Sequence, residues 1–186
     1  MTPRVLRAAD RAAVPWKNGG GVTREIVASP EGASTDAFDW RVSLADVGED
    51  GPFSAFPGVE RILTVADGAG MDLAVGGRRT LADERFRPYA FPGDQETEGR
   101  LLAGPVVNFN VMYRRGSTAC QTAVVRGGLH LAVPPGATAV VVALDGPAVL
   151  READVTLGRY DAAVLDASPG SLHTEGHAAI VTLWRR

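Results

Sequence analysis

The sequence predicts an all-β protein made of two related halves. An apolar run framed by Pro-Gly and Asp-Gly occurs twice, as Pro57-Gly58-Val59-Glu60-Arg61-Ile62-Leu63-Thr64-Val65-Ala66-Asp67-Gly68 and again from Pro135-Gly136 to Asp145-Gly146. A second echo, Pro92-Gly93 to Gly99 against Pro169-Gly170 to Gly176, keeps nearly the same offset (135 − 57 = 78; 169 − 92 = 77). Two motifs held in register over that distance indicate an internal repeat. The remaining sequence is a succession of short β-rich runs punctuated by Gly, Pro and Asp, without a long helical period.

Taken in order, strands are expected over 22–28, after the Gly19-Gly20-Gly21 run, and over 40–46, where Trp40, Val42 and Leu44 alternate with Arg41 and Ser43. The run 61–66 ends at the Asp67-Gly68 turn, which leads into 71–75, and 106–113 carries the alternating Val107-Asn108-Phe109-Asn110-Val111. In the second half, strands are expected over 121–125, 129–133, 139–144 (closed by Asp145-Gly146), 162–166 and 178–184. The Ala-rich stretch 8–13 is too short and too near Pro15 for a helix. The halves divide near 115–117, giving 1–116, expected to carry a ligand cleft, and 117–186, a degenerate copy.

With 186 residues the chain can bury one large core or two small fused ones. Its single cysteine, Cys120, precludes an intramolecular disulfide and fits a reducing compartment. No apolar leader and no membrane-length run is present, so a cytoplasmic protein is expected, away from membranes. A net charge of −3 without a basic block argues against nucleic acid.

Rare residues carry the sharper signal. Lys17 is the only lysine beside 18 arginines, and the asparagines are confined to Asn18, Asn108 and Asn110. Period-two alternation puts Asn108 and Asn110 on one face of their strand, while Arg41 shares a polar face with Ser43. Adjacent Arg24 and Glu25 must diverge, and Arg24 is expected to face the cleft. Glu60 and Arg61 have Thr138 and Ala139 as counterparts in the second copy, so they are expected to form an ion-pairing couple special to the first half. Trp16 is a candidate wall of the cleft, whereas Trp40 shares a face with Val42 and Leu44 and is expected to pack.

The runs Pro15-Trp16-Lys17-Asn18-Gly19-Gly20-Gly21-Val22-Thr23-Arg24-Glu25-Ile26, Asp39-Trp40-Arg41-Val42-Ser43, Phe53-Ser54-Ala55-Phe56-Pro57-Gly58-Val59-Glu60-Arg61 and Asn108-Phe109-Asn110-Val111-Met112 resemble the HutD/Ves family in order and spacing. The resemblance implies a cupin-type double β-barrel (a bicupin, or RmlC-like jelly roll). It also implies a small-molecule-binding or regulatory role in histidine utilisation, with formylglutamate a proposed ligand and no established reaction.

The expected ligand-binding set is Lys17, Asn18, Arg24, Arg41, Glu60, Arg61, Asn108 and Asn110, which suits a small anionic metabolite. Guanidinium forks hold carboxylates, and an amide side chain reads a carbonyl and an N–H together. No catalytic residue, metal or other cofactor is expected, because residues 1–119 contain neither His nor Cys. His173 and His177 are four apart, but Gly176 and the repeat place them in a loop between strands rather than on a helix. The rival reading is a metal-independent cupin enzyme, an isomerase or hydrolase, using Lys17 or Glu60 as acid or base. A homodimer is the assembly left to test.

Overall fold

The computed structural model describes residues 3–166 and 170–186, so Pro169 of the second echo lies outside the described residues. The described chain runs β1 (Arg4–Leu6), β2 (Val14–Pro15), β3 (Gly21–Ser29), β4 (Trp40–Val47), β5 (Gly51–Phe53), β6 (Val59–Asp67), β7 (Met71–Val75), β8 (Arg78–Ala82), β9 (Pro88–Pro92), β10 (Thr97–Leu101) and β11 (Val106–Arg114). It continues through β12 (Thr118–Leu131), β13 (Ala137–Ala143), β14 (Ala148–Leu150), β15 (Val155–Leu157), β16 (Ala162–Asp166) and β17 (Gly170–Arg185). Among the described residues no helix is long and apolar enough to cross a membrane.

Two compact units result: an N-terminal unit, Ala12–Ser117, and a C-terminal unit formed by Thr118–Arg186 with the segment up to Arg11. That opening segment, expected with the first half, differs from expectation. β1 pairs antiparallel with β16, Arg4 opposite Val164 and Leu6 opposite Ala162, and so covers an edge that would otherwise expose unpaired backbone groups. Arg7 Nη1 and the Ala8 amide, each 2.7 Å from an Asp161 carboxylate oxygen, fix it there.

In the N-terminal unit, a six-stranded antiparallel sheet (β2-β3-β4-β11-β6-β9) packs on a four-stranded one (β5-β10-β7-β8). Their shared core sets Ala45, Val47, Leu63, Val65 and Val106 of the first against Met71, Leu73 and Ala82 of the second. The face of the six-stranded sheet that meets this core is its inner face. The C-terminal unit is one seven-stranded sheet, curled so that Val141 and Leu165 meet Leu150 and Leu157 in a single core. β17 makes the curl, pairing with β14 through Leu172–Thr174 and with β13 through Ala178–Trp184.

Both units use one ladder scheme. β6 pairs with β9 and β11, and β7 with β8 and β10; correspondingly β13 pairs with β16 and the second part of β17, and β14 with β15 and the first part. β6 and β13 start 78 residues apart (137 − 59 = 78), matching the first echo. The second echo does not match: Thr97 lies opposite Val75 at the end of β7, whereas Thr174 lies opposite Ala148 at the start of β14. Leu101, opposite Met71, takes the place of Thr174, because the β14–β15 hairpin is shorter than β7–β8.

His173 and His177 stand inside β17 rather than in the expected loop. The strand runs through them because it serves two ladders, with a bulge opposite Val125–Gly127. The Asp145 carboxylate accepts the His177 backbone amide at 2.5 Å and lies 2.9 Å from His177 Nδ1.

Gly21 is among the glycines that sterics require. A Cβ on Gly21 would lie 2.6 Å from the Asp46 carbonyl oxygen and 2.9 Å from the Trp16 ring. Gly21→Ala is therefore expected to displace Trp16 and lower unfolding free energy by roughly 1–3 kcal/mol, the usual overpacking cost. Urea unfolding followed by tryptophan emission checks this, and an unchanged midpoint would contradict it.

Candidate functional site

β11 lies between β4 and β6, and the register decides which side chains meet. Met112 is opposite Arg41 and Arg61, Asn110 is opposite Ser43 and Leu63, and Asn108 is opposite Ala45 and Val65. Cross-strand partners point to the same side of a sheet, so these residues share the inner face with Leu63 and Val65. β3 adds Thr23 beside Ala45 and Glu25 beside Ser43, and β9 adds Phe91 beside Arg61. An otherwise apolar interior therefore holds Glu25, Arg41, Ser43, Arg61, Asn108 and Asn110.

Arg61 is the unusual member. Its guanidinium carbon lies 5.1, 5.6 and 5.2 Å from the ring centroids of Phe53, Phe56 and Phe91, a cage of π-faces that favours a cation. Nη1 donates to the Ser54 carbonyl at 3.2 Å, while Nε is buried without a hydrogen-bond partner. Among the described residues Arg61 has no ion pair. Burial pushes the guanidinium down from its ordinary value to about 10, so it remains charged at neutral pH. Because the unfolded chain holds that proton more tightly, the charge costs the fold stability at neutral pH, a cost relieved only as pH rises above the folded value. An anion would offset it, and the residue's partial exposure leaves it reachable.

The asparagines sit farther along. Asn108, 1% exposed, donates Nδ2 to Met71 Sδ at 3.2 Å, a weak acceptor, and its Oδ1 is buried without a partner. Asn110 donates to the Asn108 carbonyl at 3.3 Å. Arg41 Nε pairs with Glu25 Oε2 at 2.7 Å. Trp16 packs onto the core at the Asn108 end, its indole N–H donating to Thr23 Oγ1 at 2.7 Å.

The expectations for Arg24 and for the Glu60–Arg61 couple are corrected. Arg24 lies opposite Leu44, on the Phe109 side of the sheet, and pairs there with Asp46; Glu25 holds the inner position instead. Glu60 and Arg61 form no couple, because neighbouring strand residues diverge: Glu60 faces away and pairs with Arg115 at 2.9 Å. Arg115 in turn pairs with Asp94, whose carboxyl is held below its ordinary value by the Gly58 amide first and Arg115 second. These bonds fasten the loop bearing Phe56, whose amide also donates to the Gly93 carbonyl at 2.7 Å.

Lys17 and Asn18 are exposed on the turn before β3, where Asn18 Oδ1 accepts the Gly20 amide at 3.2 Å, a turn-shaping role. Gly21 lies beside Val47, which faces Val106; six residues separate Val106 from Met112, ~20 Å along the strand. Lys17 and Asn18 are thus not brought to Arg61, whereas Arg41, Asn110 and Asn108 are on its face. Trp40 lies on the opposite face of the sheet, with Val42 and Leu44, both buried. Among the described residues no group of three or more His, Cys, Asp or Glu side chains is placed to hold a metal ion.

The family model described as HutD matches residues 8–182. The chain belongs to the HutD family. A solved HutD from Pseudomonas fluorescens SBW25 (formate condition) superimposes with a TM-score of 0.88 at 32% identity, over 100% of both chains. An uncharacterized 21.2 kDa protein from the hutC 3' region of Pseudomonas putida is 44% identical over 110 residues, 59% of this chain and 57% of that protein. The match thus spans little more than half of that curated relative. A cupin 2 conserved barrel domain protein from Leptotrichia buccalis has a TM-score of 0.57 at 13% identity, covering 93% of this chain and 92% of that one, and shows the fold alone as cupin-like.

The phenylalanine cage and Glu25 were missed by sequence reasoning. Phe53 and Phe56 stood in plain sight beside Arg61, but β9, which brings Phe91, starts and ends with proline and resembles no strand. The ladder equivalence supplies the missing signal: Phe53, Phe56, Phe91 and Arg61 correspond to Leu131, Pro134, Leu165 and Ala139, so cage and cation are absent together from the C-terminal unit. Asn110 and Asn108 likewise correspond to Ile180 and Ala178.

If Arg61 is retained at a stability cost, Arg61→Met should keep or raise the thermal midpoint of the ligand-free protein, as a thioether packs well among phenylalanines. Differential scanning calorimetry at neutral pH tests this; a clear drop would mark Arg61 as structural.

Proposed function

We propose that this HutD-family chain is a metabolite-binding bicupin, whose N-terminal unit takes a small carboxylate at Arg61. In this reading it senses or limits a histidine-degradation intermediate such as N-formylglutamate. The observation that carries the reading is a caged, charged guanidinium with no anion of its own, on the same inner face as an unpartnered amide oxygen. Arg61 holds one carboxylate. Asn110 and Asn108 read the acylated nitrogen and its carbonyl, Asn108 Oδ1 supplying an acceptor for an N–H. Arg41 stands two strands from Arg61, about 10 Å between Cα positions, which suits a second acidic group on a short aliphatic ligand. The hutC location of the Pseudomonas putida relative agrees with this reading. The enzyme alternative rested on Lys17 and Glu60, and neither shares the inner face with Arg61.

Calorimetric titration with formylglutamate, glutamate and the neutral diamide tests the site. Arg61→Met is expected to weaken formylglutamate binding about ten- to a hundredfold, the loss of one charge-assisted contact. Asn110→Leu should cost as much and erode preference for the acylated ligand. Lys17→Ala and Arg24→Ala should bind like wild type. Equal affinity for all three ligands would discard the reading, and loss in Lys17→Ala with retention in Arg61→Met would move the site to the turn before β3.

A further inference from the structure

The C-terminal unit lacks the cage and the cation, and a cavity opens in it beside Pro134, the counterpart of Phe56. The cavity, of about 450 Å³, is lined by Gln121, Thr182, Trp184 and Arg185 from β12 and β17, and by Ala132 and the Pro134-Pro135-Gly136 turn. In the shared ladder scheme Gln121 takes the place of Arg41, Thr182 of Met112 and Trp184 of Arg114. Ala132, Pro134 and Gly136 take the places of Ser54, Phe56 and Gly58, and Ala139 that of Arg61 (139 − 61 = 78). Ala139, Leu131 and Leu165, which stand where Arg61, Phe53 and Phe91 do, are buried in the core and do not line the cavity, whereas Pro134, in the place of Phe56, does.

Its lining has a definite chemistry. Trp184, 38% exposed, and the two prolines offer flat apolar surfaces with little rotational freedom to lose, and such surfaces hold planar rings. The Gln121 amide, the Thr182 hydroxyl, the Trp184 indole N–H and the Arg185 guanidinium make no hydrogen bond or ion pair among the described residues. Arg185 is the only charged group in the lining, and it is positive.

We propose that this cavity is a second ligand site, separate from Arg61, for a small planar aromatic or conjugated carboxylate. The ring lies on Trp184 against the Pro134-Pro135 turn, the carboxylate meets Arg185, and Gln121 and Thr182 read polar ring substituents. The two units thereby take chemically different acids, an aliphatic one at Arg61 and a planar one at Trp184.

Benzoate is a suitable probe, with cyclohexanecarboxylate (same charge, no flat ring) and benzamide (same ring, no charge) as comparisons. The readout is the indole N–H signal of Trp184 in the ¹H–¹⁵N spectrum of the full chain, assigned by its absence from Trp184→Phe. Benzoate should shift it saturably with millimolar or tighter affinity, at least about fivefold tighter than either comparison. Arg185→Gln should weaken benzoate about fivefold or more. Thr182→Met, which installs the side chain found at this place in the other unit, should abolish the shift while leaving formylglutamate titration unchanged. Arg61→Met should leave the benzoate shift intact. No saturable shift up to roughly 20 mM, equal response to the three probes, or persistence in Thr182→Met would overturn the site; loss in Arg61→Met would show that the signal belongs to the other unit.

Discussion

The pairing of β11 between β4 and β6 is the constraint from which the candidate site follows. Side chains of a strand reach one face only at every second residue, so a single register decides that Arg41, Arg61, Asn108 and Asn110 look inward together. Slipping β11 by one residue would turn Phe109 and Val111, both fully buried on the other side, into the interior and carry both asparagines out. The register is therefore held by apolar burial on both faces of the strand, and the polar residues are placed as a by-product of that packing. Their chemistry is bought with core stability supplied elsewhere.

Much of this was legible before any coordinates. The alternation in Val107-Asn108-Phe109-Asn110-Val111 is strong enough to assign faces, and the Pro-Gly to Asp-Gly frame correctly pairs β6 with β13. What escaped notice falls into two physical groups. β8, with exposed Arg78 and Arg79, and β9, bounded by Pro88 and Pro92, are strands made by their neighbours rather than by propensity. The choice between Arg24 and Glu25 was undecidable from composition, because only the position of the bulge after Glu25 relative to β4 fixes which one faces inward. Lys17 misled through rarity: a residue type can be scarce in a chain and still stand in solvent on a turn.

The two units show how one ladder scheme can carry unlike interiors. Positions filled by a cation, three rings and two amides in one are filled by alanine, leucines, proline and isoleucine in the other, with the strand pairing unchanged. The substitutions travel as a set, as physical reasoning requires. A guanidinium without its cage would be an uncompensated buried charge, and a cage without its guanidinium would be a void. Shape and charge at such a site are not independently adjustable.

The fusion of two ladder segments into β17 has a consequence for how each unit tolerates change in length. In the N-terminal unit the corresponding segments, β10 and β11, are separate strands joined by residues 102–105, a surface connection where Leu102 is 43% exposed. Added residues there need only bulge outward, so this junction is open to insertion and to relocation of the chain ends. β17 offers no such seam. An insertion at its bulge would shift one ladder against the other by whole residues, so the sequence around Thr174–His177 is held to a fixed count even though no proposed ligand touches it.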